Sequence, residues 1–317
     1  MSTARSLVLL ALGTFACCEI SCSSSTSVGR GNAQVFIVPE DSIVNGIQAG
    51  TENDNIQDGW TVTYSKFIVT IGSFRARSTQ TGEALASHDL LVLDLKAAPA
   101  GGYVVANFLD IPATRFDKVG EDMPAASGTV RAFAAAIDVK RMVDNRYAIY
   151  FEGSMSKPDG QSCKPSDPAS CKRAGTVADA IPTIRFRWGF AMGTSFDDCA
   201  SAQGDTGFVV PAGGAAQIKP TIHGDHWFFT DVTEGAEITK RYAQFVADCD
   251  LDSDGETTLD ELKRVKSSDV FPIPKYRLSG GVGSVPVATA YDYVKTQART
   301  IHDFQGDGEC PTRRILE

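Results

Sequence analysis

The chain has 317 residues, a formal net charge of −9 and an apolar fraction of 43 %. This apolar content is ordinary for a globular protein, and the length is enough for one large domain or two ordinary domains. The acidic balance argues against nucleic acid as a partner, because phosphate binding requires a basic surface, and it suits a protein that binds cations.

The N-terminus has the pattern of a secretory signal. Arg5 precedes the apolar run 7–16, which is shorter than the roughly 20 residues of a membrane-spanning helix. A cysteine directly after Ala16 resembles the lipidation box of bacterial lipoproteins, which implies that Cys17 is the lipid acceptor. We therefore expect an extracytoplasmic protein that is lipid-anchored to the bacterial cell envelope, at the outer membrane, or secreted if no lipid is added.

This interpretation divides the chain into five parts. We predict a signal peptide at 1–17, a Ser-rich tether at 18–33, a β-sandwich-like domain at 34–232, an EF-hand at 233–266, and a C-terminal helix and tail at 267–317. The tether has the polar composition of a flexible linker.

Five of the eight cysteines lie beyond the leader and tether. Cys163 and Cys171 bracket a turn-rich loop that a disulfide would close, and Cys199 is predicted to pair with Cys310. Cys249 is then left as a free thiol. Disulfides are typical of an oxidising, extracytoplasmic compartment, although sequence does not determine the connectivity.

The region 34–232 alternates mostly with a period of two, which predicts half-buried strands. In 184–190, large apolar residues alternate with Arg185 and Arg187. The alternation in 60–71 changes parity at Ser65–Lys66, which predicts a β-bulge. Further strands are predicted at 90–95, 103–109, 147–151, 208–210, 217–222 and 226–229, and the run 129–142 is ambiguous between strand and helix. The predicted fold class is mainly β, an antiparallel sandwich-like domain followed by C-terminal α structure.

A histidine-rich segment lies at the end of this region. In an extended chain, His223 and Asp225 share one face and His226 lies on the other, so the imidazoles can share a metal only if the backbone turns at Gly224. With Asp225, or with His302 brought in from the last helix, they would form a Zn²⁺ or Cu²⁺ site. The competing interpretation is that ordinary hydrogen bonds satisfy these histidines.

The segment 250–261 places an oxygen ligand wherever a calcium loop needs one. Carboxylates stand at the first, third and fifth positions, Gly255 at the sixth permits the sharp bend, and Glu261 at the twelfth can give both oxygens. This spacing resembles the calcium loop of EF-hand proteins. The implied ligands are the side chains of Asp250, Asp252, Asp254 and Glu261, the carbonyl of Glu256, and Thr258 directly or through water.

Apolar residues at helical spacing flank the loop, which predicts helix, loop and helix. They are Ile238, Tyr242, Phe245 and Val246 before it, and Leu259, Leu262 and Val265 after it. Thr257 at the eighth position predicts that the short β-bridge of paired hands is weak or missing. A second loop starting at Asp303 fails, because its twelfth residue is Arg314. We therefore expect a single hand, with a dissociation constant of roughly 0.1 to 1 mM if it resembles extracellular modules.

The last predicted element is an amphipathic helix with Pro286 in its first turn. Its apolar face comprises Val287, Ala290, Tyr291, Val294, Ala298 and Ile301, and we expect this face to dock on the sheet or on the EF-hand.

The signal for an enzyme is weak. His88–Asp89 would supply a base, but no Gly-x-Ser-x-Gly elbow accompanies it. Two functions follow from the sequence. One is a calcium-binding envelope lipoprotein with a binding or structural role, and the alternative is a copper- or zinc-binding protein that uses His223 and His226. The resemblance to EF-hands covers about 30 residues and implies nothing about the ligand or partner of the β domain.

Overall fold

The structure is a computed structural model that describes residues 29–163, 181–232, 240–272, 275–279 and 286–316. The predicted signal peptide with Cys17 and most of the predicted tether lie outside the described residues. Within the described ranges, no helix combines the length and the hydropathy needed to span a membrane.

Short strands dominate the described residues, and most of the helices lie toward the C-terminus. The strands are β1 (Arg30–Pro39), β2 (Thr61–Arg77), β3 (Ala84–Ala86), β4 (Leu91–Asp94), β5 (Tyr103–Pro112), β6 (Arg115–Phe116), β7 (Lys118–Met123), β8 (Arg131–Phe133), β9 (Ile149–Ser156), β10 (Thr183–Phe190), β11 (Thr194–Phe196), β12 (Phe208–Val209), β13 (Ala215–Ile218), β14 (Pro220–Ile222), β15 (Glu256–Thr257), β16 (His302–Phe304) and β17 (Thr312–Arg314). The helices are α1 (Asp41–Val44), α2 (Ala136–Asp144), α3 (Gln244–Asp248), α4 (Leu259–Arg264), α5 (Ser267–Val270) and α6 (Ala290–Gln297), with 3₁₀ turns at Leu95–Ala97 and His226–Phe228.

The strands form two main sheets. The larger has the order β15-β10-β9-β2-β7-β11-β17, with β3 and β4 on β2 and β8 on β4. The second has the order β13-β1-β14-β16, with β5 on β1. This curled, sandwich-like arrangement confirms the predicted fold class. It brings strands from both ends of the chain into the same sheets.

Strand β1 departs from a purely antiparallel pattern, because it pairs in parallel with β13 and β14. Parallel partners need a long connection, and most of the β region lies between these strands. Strand β1 begins at Arg30, ahead of the predicted boundary at Gln34, since Asn32 already pairs with Ala215 of β13.

Two features of the large sheet confirm the alternation in the sequence. The register of β2 against β9 shifts between Tyr64 and Lys66, which is the predicted bulge. Along β10, Ile184, Phe186 and Trp188 are buried, while the intervening arginines face solvent. Burial of one face therefore determines the register, as a period of two requires.

The predicted strand at 226–229 is wrong. His226–Phe228 is a 3₁₀ turn, in which Phe228 N–H donates to Asp225 O at 2.9 Å and Phe229 N–H to His226 O at 3.0 Å. Trp227 and Phe228 are almost completely buried. A short apolar run that is buried on every side carries no periodicity that distinguishes a strand from a helical turn.

The ambiguous run 129–142 contains both structures, since β8 lies at Arg131–Phe133 and α2 starts at Ala136. The C-terminal helix starts at Ala290 rather than near Pro286, because Thr289 and Asp292 form a capping box there. Its buried face packs into the core as predicted.

The larger of two apolar clusters among the described residues joins the sheets to the C-terminal helices. Phe151 stacks on Trp227 with ring centroids 4.3 Å apart, and the same cluster extends to Phe245 of α3 and Tyr293 of α6. Helix α6 and the segments around the acidic loop are therefore held against the sheet by shared apolar burial, which is the main stabilising term in folding.

The Cys199–Cys310 disulfide is present as predicted, and Cys249 is a buried free thiol. The disulfide joins positions separated by 111 residues. The second predicted pairing, of Cys163 with Cys171, involves Cys171, which lies outside the described residues.

Candidate metal sites

The acidic loop between α3 and α4 brings three carboxylates together. Oxygens of Asp250, Asp252 and Asp254 lie within 4.8 Å of one another. Backbone N–H groups fold the loop around Asp250: Ser253 N donates to Oδ1 at 2.8 Å and Gly255 N to Oδ2 at 3.1 Å. Gly255 has a φ of +77°, which supplies the bend that its position in the loop requires.

Glu261 closes the loop from the first turn of α4. Leu251 N donates to its Oε1 at 2.8 Å, and Thr258 donates to its Oε2 from both N and Oγ1, each at 2.8 Å. The carboxylate therefore spans the start and the end of the loop. The side chain of Glu256 lies 3.8 Å from Arg185 Nε.

The loop is also part of the large sheet. Its short strand β15 pairs in parallel with β10, with Glu256 opposite Arg185 and Thr257 opposite Phe186. Trp188 Nε1 donates to Thr257 O at 2.7 Å, and Thr257 Oγ1 donates to Val246 O at 2.6 Å. Thr257 therefore belongs to a short strand whose partner is β10 of the sheet, not a second hand.

The electrostatics of the loop favour a cation. Burial raises the pKa of Asp250, its backbone hydrogen bonds oppose the rise, and the charges of Glu261 and Asp254 add to it. Two neighbouring basic side chains pair with other carboxylates of the loop, since Arg185 lies beside Glu256 and Lys263 beside Asp260. A divalent ion bound by these oxygens would offset the mutual repulsion of the carboxylates.

The second candidate site is the turn that follows β14. The chain bends at Gly224, whose backbone is held on both sides. Gly224 N donates to Ser42 Oγ at 2.9 Å, and Tyr64 OH donates to Gly224 O. A Cβ at this glycine would lie 2.7 Å from Ile43 Cγ1. The bend brings the rings of His223 and His226 to a centroid distance of 5.2 Å.

His223 lies between two carboxylates that the sequence did not reveal. Its Nδ1 is 3.2 Å from Glu40 Oε2, and its Nε2 is 3.1 Å from Asp303 Oδ2, close enough for an ion pair but without the alignment of a hydrogen bond. Two groups of candidate metal ligands result. Ligand atoms of His223, His226 and Asp303 lie within 4.8 Å of one another, and so do those of Glu40, His223 and Asp225.

The predicted ligand Asp225 has a different main partner. Its Oδ2 accepts from Arg241 Nε at 2.7 Å and lies 2.6 Å from Nη2 of the same arginine. Its Oδ1 is buried without a hydrogen bond, 4.0 Å from His223 Nδ1. Asp225 therefore neutralises a buried guanidinium and stands at the margin of the histidine pair.

The hydrogen bonds of His226 define its tautomer. Thr300 Oγ1 donates its only hydrogen to Gln297 O at 2.9 Å, so it must accept from His226 Nδ1, which is 2.9 Å away. His226 therefore carries its proton on Nδ1 and presents the lone pair of Nε2. A hydrogen bond that fixes the tautomer of a ligating imidazole is typical of metal sites.

The pKa values of the two histidines are shifted in opposite directions. Burial lowers the pKa of His226, and the charge on His223 lowers it further. Burial also disfavours charge on His223, but the carboxylates of Asp303, Glu40 and Asp225 outweigh it and hold its pKa well above the ordinary value. For Glu40, burial is outweighed by His223, and its pKa falls to about 2.

The structure does not bring His302 to this pair. In the antiparallel pairing of β14 and β16, Asp303 lies opposite Thr221 and His302 opposite Ile222. Side chains alternate across a strand, so Asp303 faces the same side as His223 and His302 faces the other. His302 Nε2 instead lies 2.8 Å from Glu121 Oε2, and its ring stacks on Phe196.

Sequence reasoning therefore missed Glu40, Thr300 and Asp303 as neighbours of the histidines. Asp303 is the first residue of the second loop that fails as a calcium site. It directly follows His302, so a strand there places one of these two side chains on each face. Nothing local marks Glu40, which reaches the site because its backbone N–H donates to Ile222 O at 2.9 Å.

No family model matches the chain, and no curated protein matches it. Among solved structures, it is similar to MbnP from Methylosinus trichosporium, with 8 % sequence identity, coverage of 90 % of this chain and 99 % of that chain, and a TM-score of 0.37. A likeness at this level carries no argument about function.

Proposed function

We propose that this is a metal-binding protein in which the loop 250–261 holds Ca²⁺ and the ion fastens the C-terminal helices to the large sheet. One observation carries the proposal: the convergence of Asp250, Asp252 and Asp254 in a loop whose strand β15 is hydrogen-bonded to β10. An all-oxygen, carboxylate-rich ligand set suits Ca²⁺ better than a transition metal.

The position of the loop explains what the ion would do. Helix α4 follows the loop directly, and α6 is joined to its end, since Ala290 N donates to Val265 O at 3.0 Å. An ion held by Asp250 and Glu261 would fix the start of α4 relative to β15. The expected role is structural, with the Ca²⁺-bound form stabilised against unfolding by mass action.

Thermal unfolding of the mature chain in EDTA, and then with Ca²⁺, Mg²⁺, Zn²⁺ or Cu²⁺ added, tests this proposal. We expect a rise in melting temperature with Ca²⁺ that Asp250→Ala abolishes. Asp260→Asn is the matched control, because it removes a carboxylate of the same loop that pairs with Lys263 at the surface. An equal rise in wild type and Asp250→Ala would contradict the proposal.

A second candidate function is the binding of a transition metal by His223, His226 and Asp303. The observation that favours it is the buried, tautomer-selected imidazole of His226 beside His223, whose Nε2 lacks an aligned hydrogen bond. Two imidazoles and a carboxylate suit Zn²⁺ or Cu²⁺. Nδ1 of His226 would remain on Thr300 and orient the ring while the ion is bound.

Metal analysis of protein purified without added metal, followed by titration with Zn²⁺ or Cu²⁺, tests this second function. The double variant His223→Ala/His226→Ala should lose the bound ion and Asp250→Ala should keep it. His88→Ala is the matched control, since His88 is an exposed histidine away from the turn. Retention of the ion by the double variant would exclude this site.

We also propose that the protein works outside the cytoplasm, attached by a lipid on Cys17. The buried Cys199–Cys310 disulfide supports this proposal, because such bonds persist mainly in oxidising compartments. Metabolic labelling with a fatty acid should mark the wild type and leave Cys17→Ser unlabelled. Equal labelling of Cys17→Ser would show that another residue is the acceptor.

A further inference from the structure

We propose that reduction of the Cys199–Cys310 disulfide unmasks a third metal site, a Zn²⁺ site made by the two thiolates and His302 and positioned by Glu121. Candidate ligand atoms of the two cysteines and His302 lie within 4.8 Å of one another. All three residues are buried, with exposed fractions of 0 %, 3 % and 1 % for Cys199, Cys310 and His302.

The ring of His302 is already arranged as a ligand. Its Nε2 is 2.8 Å from Glu121 Oε2, and its Nδ1 is buried with no hydrogen-bond partner. A buried polar nitrogen without a partner is costly, so it points to a group that is bound in another state of the site. The pair of Glu121 and His302 matches the carboxylate–histidine–metal arrangement in which the carboxylate orients the ring.

The backbone would keep the two thiols together after reduction. Strands β11 and β17 pair between Phe196 and Thr312. Beyond them, Asp197 N donates to Pro311 O at 2.9 Å and Ala200 N to Glu309 O at 2.9 Å. These bonds hold the segments that carry Cys199 and Cys310 side by side independently of the disulfide.

The chemistry requires a two-electron reductant of the dithiol class. The dithiol gives two electrons and two protons to the disulfide, so that its own sulfurs become a disulfide and Cys199 and Cys310 become thiols. Binding of Zn²⁺ then releases the two thiol protons, because the thiolate is the ligand. The three protein ligands leave a fourth, tetrahedral position for water.

The test uses the mature chain, reduced with dithiothreitol and freed of it under anaerobic conditions. Co²⁺ is the spectroscopic probe for the Zn²⁺ site. We expect near-ultraviolet thiolate-to-cobalt absorption that Zn²⁺ displaces and that is absent from the oxidised protein. The variant Cys199→Ser/Cys310→Ser should lose this absorption while Cys163 and Cys249 remain, and His302→Ala should weaken it.

Glu121→Gln tests positioning separately from ligation. It should lower the Co²⁺ affinity about 10- to 100-fold while the thiolate absorption at saturation remains. His223→Ala should have no effect, which separates this site from the one proposed above. Circular dichroism of the reduced, metal-free protein serves as the folding control. Loss of the fold on reduction, or undiminished absorption in the double serine variant, would overturn the proposal.

Discussion

The acidic loop and the histidine cluster represent opposite ways of gathering charged side chains. The loop collects its carboxylates from twelve consecutive residues, and Asp252 and Asp254 remain exposed to solvent. The cluster gathers Glu40, His223 and Asp303 from three distant segments, with His223 almost fully buried. Local backbone hydrogen bonds shape the first group, whereas the register of two sheets shapes the second.

The two groups also differ in how their charge is balanced. At the loop, Arg185 and Lys263 pair with Glu256 and Asp260 rather than with the converging Asp250, Asp252 and Asp254. The cluster has its own counter-charges, since Arg241 holds Asp225 and the imidazole of His223 lies between Glu40 and Asp303. We therefore expect the loop to depend on a bound cation for stability and the cluster to depend on internal ion pairs.

The largest expected effect comes from breaking the buried pair beside the histidines. Arg241→Met should reduce the free energy of unfolding by about 3–5 kcal/mol, because it leaves the carboxylate of Asp225 buried and unpaired. Urea denaturation measures this loss. Arg277→Met is the matched control, since the guanidinium of Arg277 that pairs with Asp231 is largely exposed, and this pair should contribute less than about 1 kcal/mol. Equal losses in both variants would contradict the difference between the regions.

The next effect tests the dependence of the loop on a cation. Glu261→Gln should remove the stabilisation by Ca²⁺, about 2.7 kcal/mol when Ca²⁺ is a hundredfold above its dissociation constant. The metal-free protein should lose less, about 1 kcal/mol, because the amide keeps one of the two oxygens that accept from Leu251 and Thr258. Calorimetry with and without Ca²⁺ separates the loss of stabilisation by Ca²⁺ from the change in stability of the metal-free protein. Equal shifts of the melting temperature with and without Ca²⁺ would contradict a stabilising role of Ca²⁺.

A smaller effect concerns the contact of the loop with the sheet. Trp188→Phe should lower the free energy of unfolding by about 2 kcal/mol, since it leaves the buried carbonyl of Thr257 without its donor. It should also weaken Ca²⁺ binding measured by titration. Trp60→Phe is the control, because it removes an indole hydrogen bond to Gln244 away from β15. Unchanged Ca²⁺ affinity in Trp188→Phe would show that the loop acts independently of the sheet.

The smallest effect on stability is expected at the hydrogen bond that orients His226. Thr300→Val should cost about 1 kcal/mol of unfolding free energy. It should also reduce the affinity for Zn²⁺ about 10- to 100-fold, because the imidazole loses the partner that selects its tautomer. Thr230→Val, at another mostly buried threonine near the turn, provides the comparison. Full Zn²⁺ affinity in Thr300→Val would contradict the assigned role of Thr300.

Features that depend on neighbouring residues could be predicted from the sequence. The alternation in β10, the bulge in β2 and the mainly β fold follow from which side chains must be buried on one face. The ligand spacing of the acidic loop is likewise contained in consecutive residues, although calcium binding itself stays a prediction. The Cys199–Cys310 pairing is one of the three that Cys199, Cys249 and Cys310 allow, and the structure confirms it.

Tertiary structure alone decided which residues surround the histidines. The pairing of β14 with β16 placed Asp303 beside His223 and turned His302 toward Glu121 and the disulfide. Packing of Trp227 on Phe151 made 226–228 a buried turn instead of a strand. These outcomes depend on contacts between segments far apart in the chain, and local periodicity carries no information about such contacts.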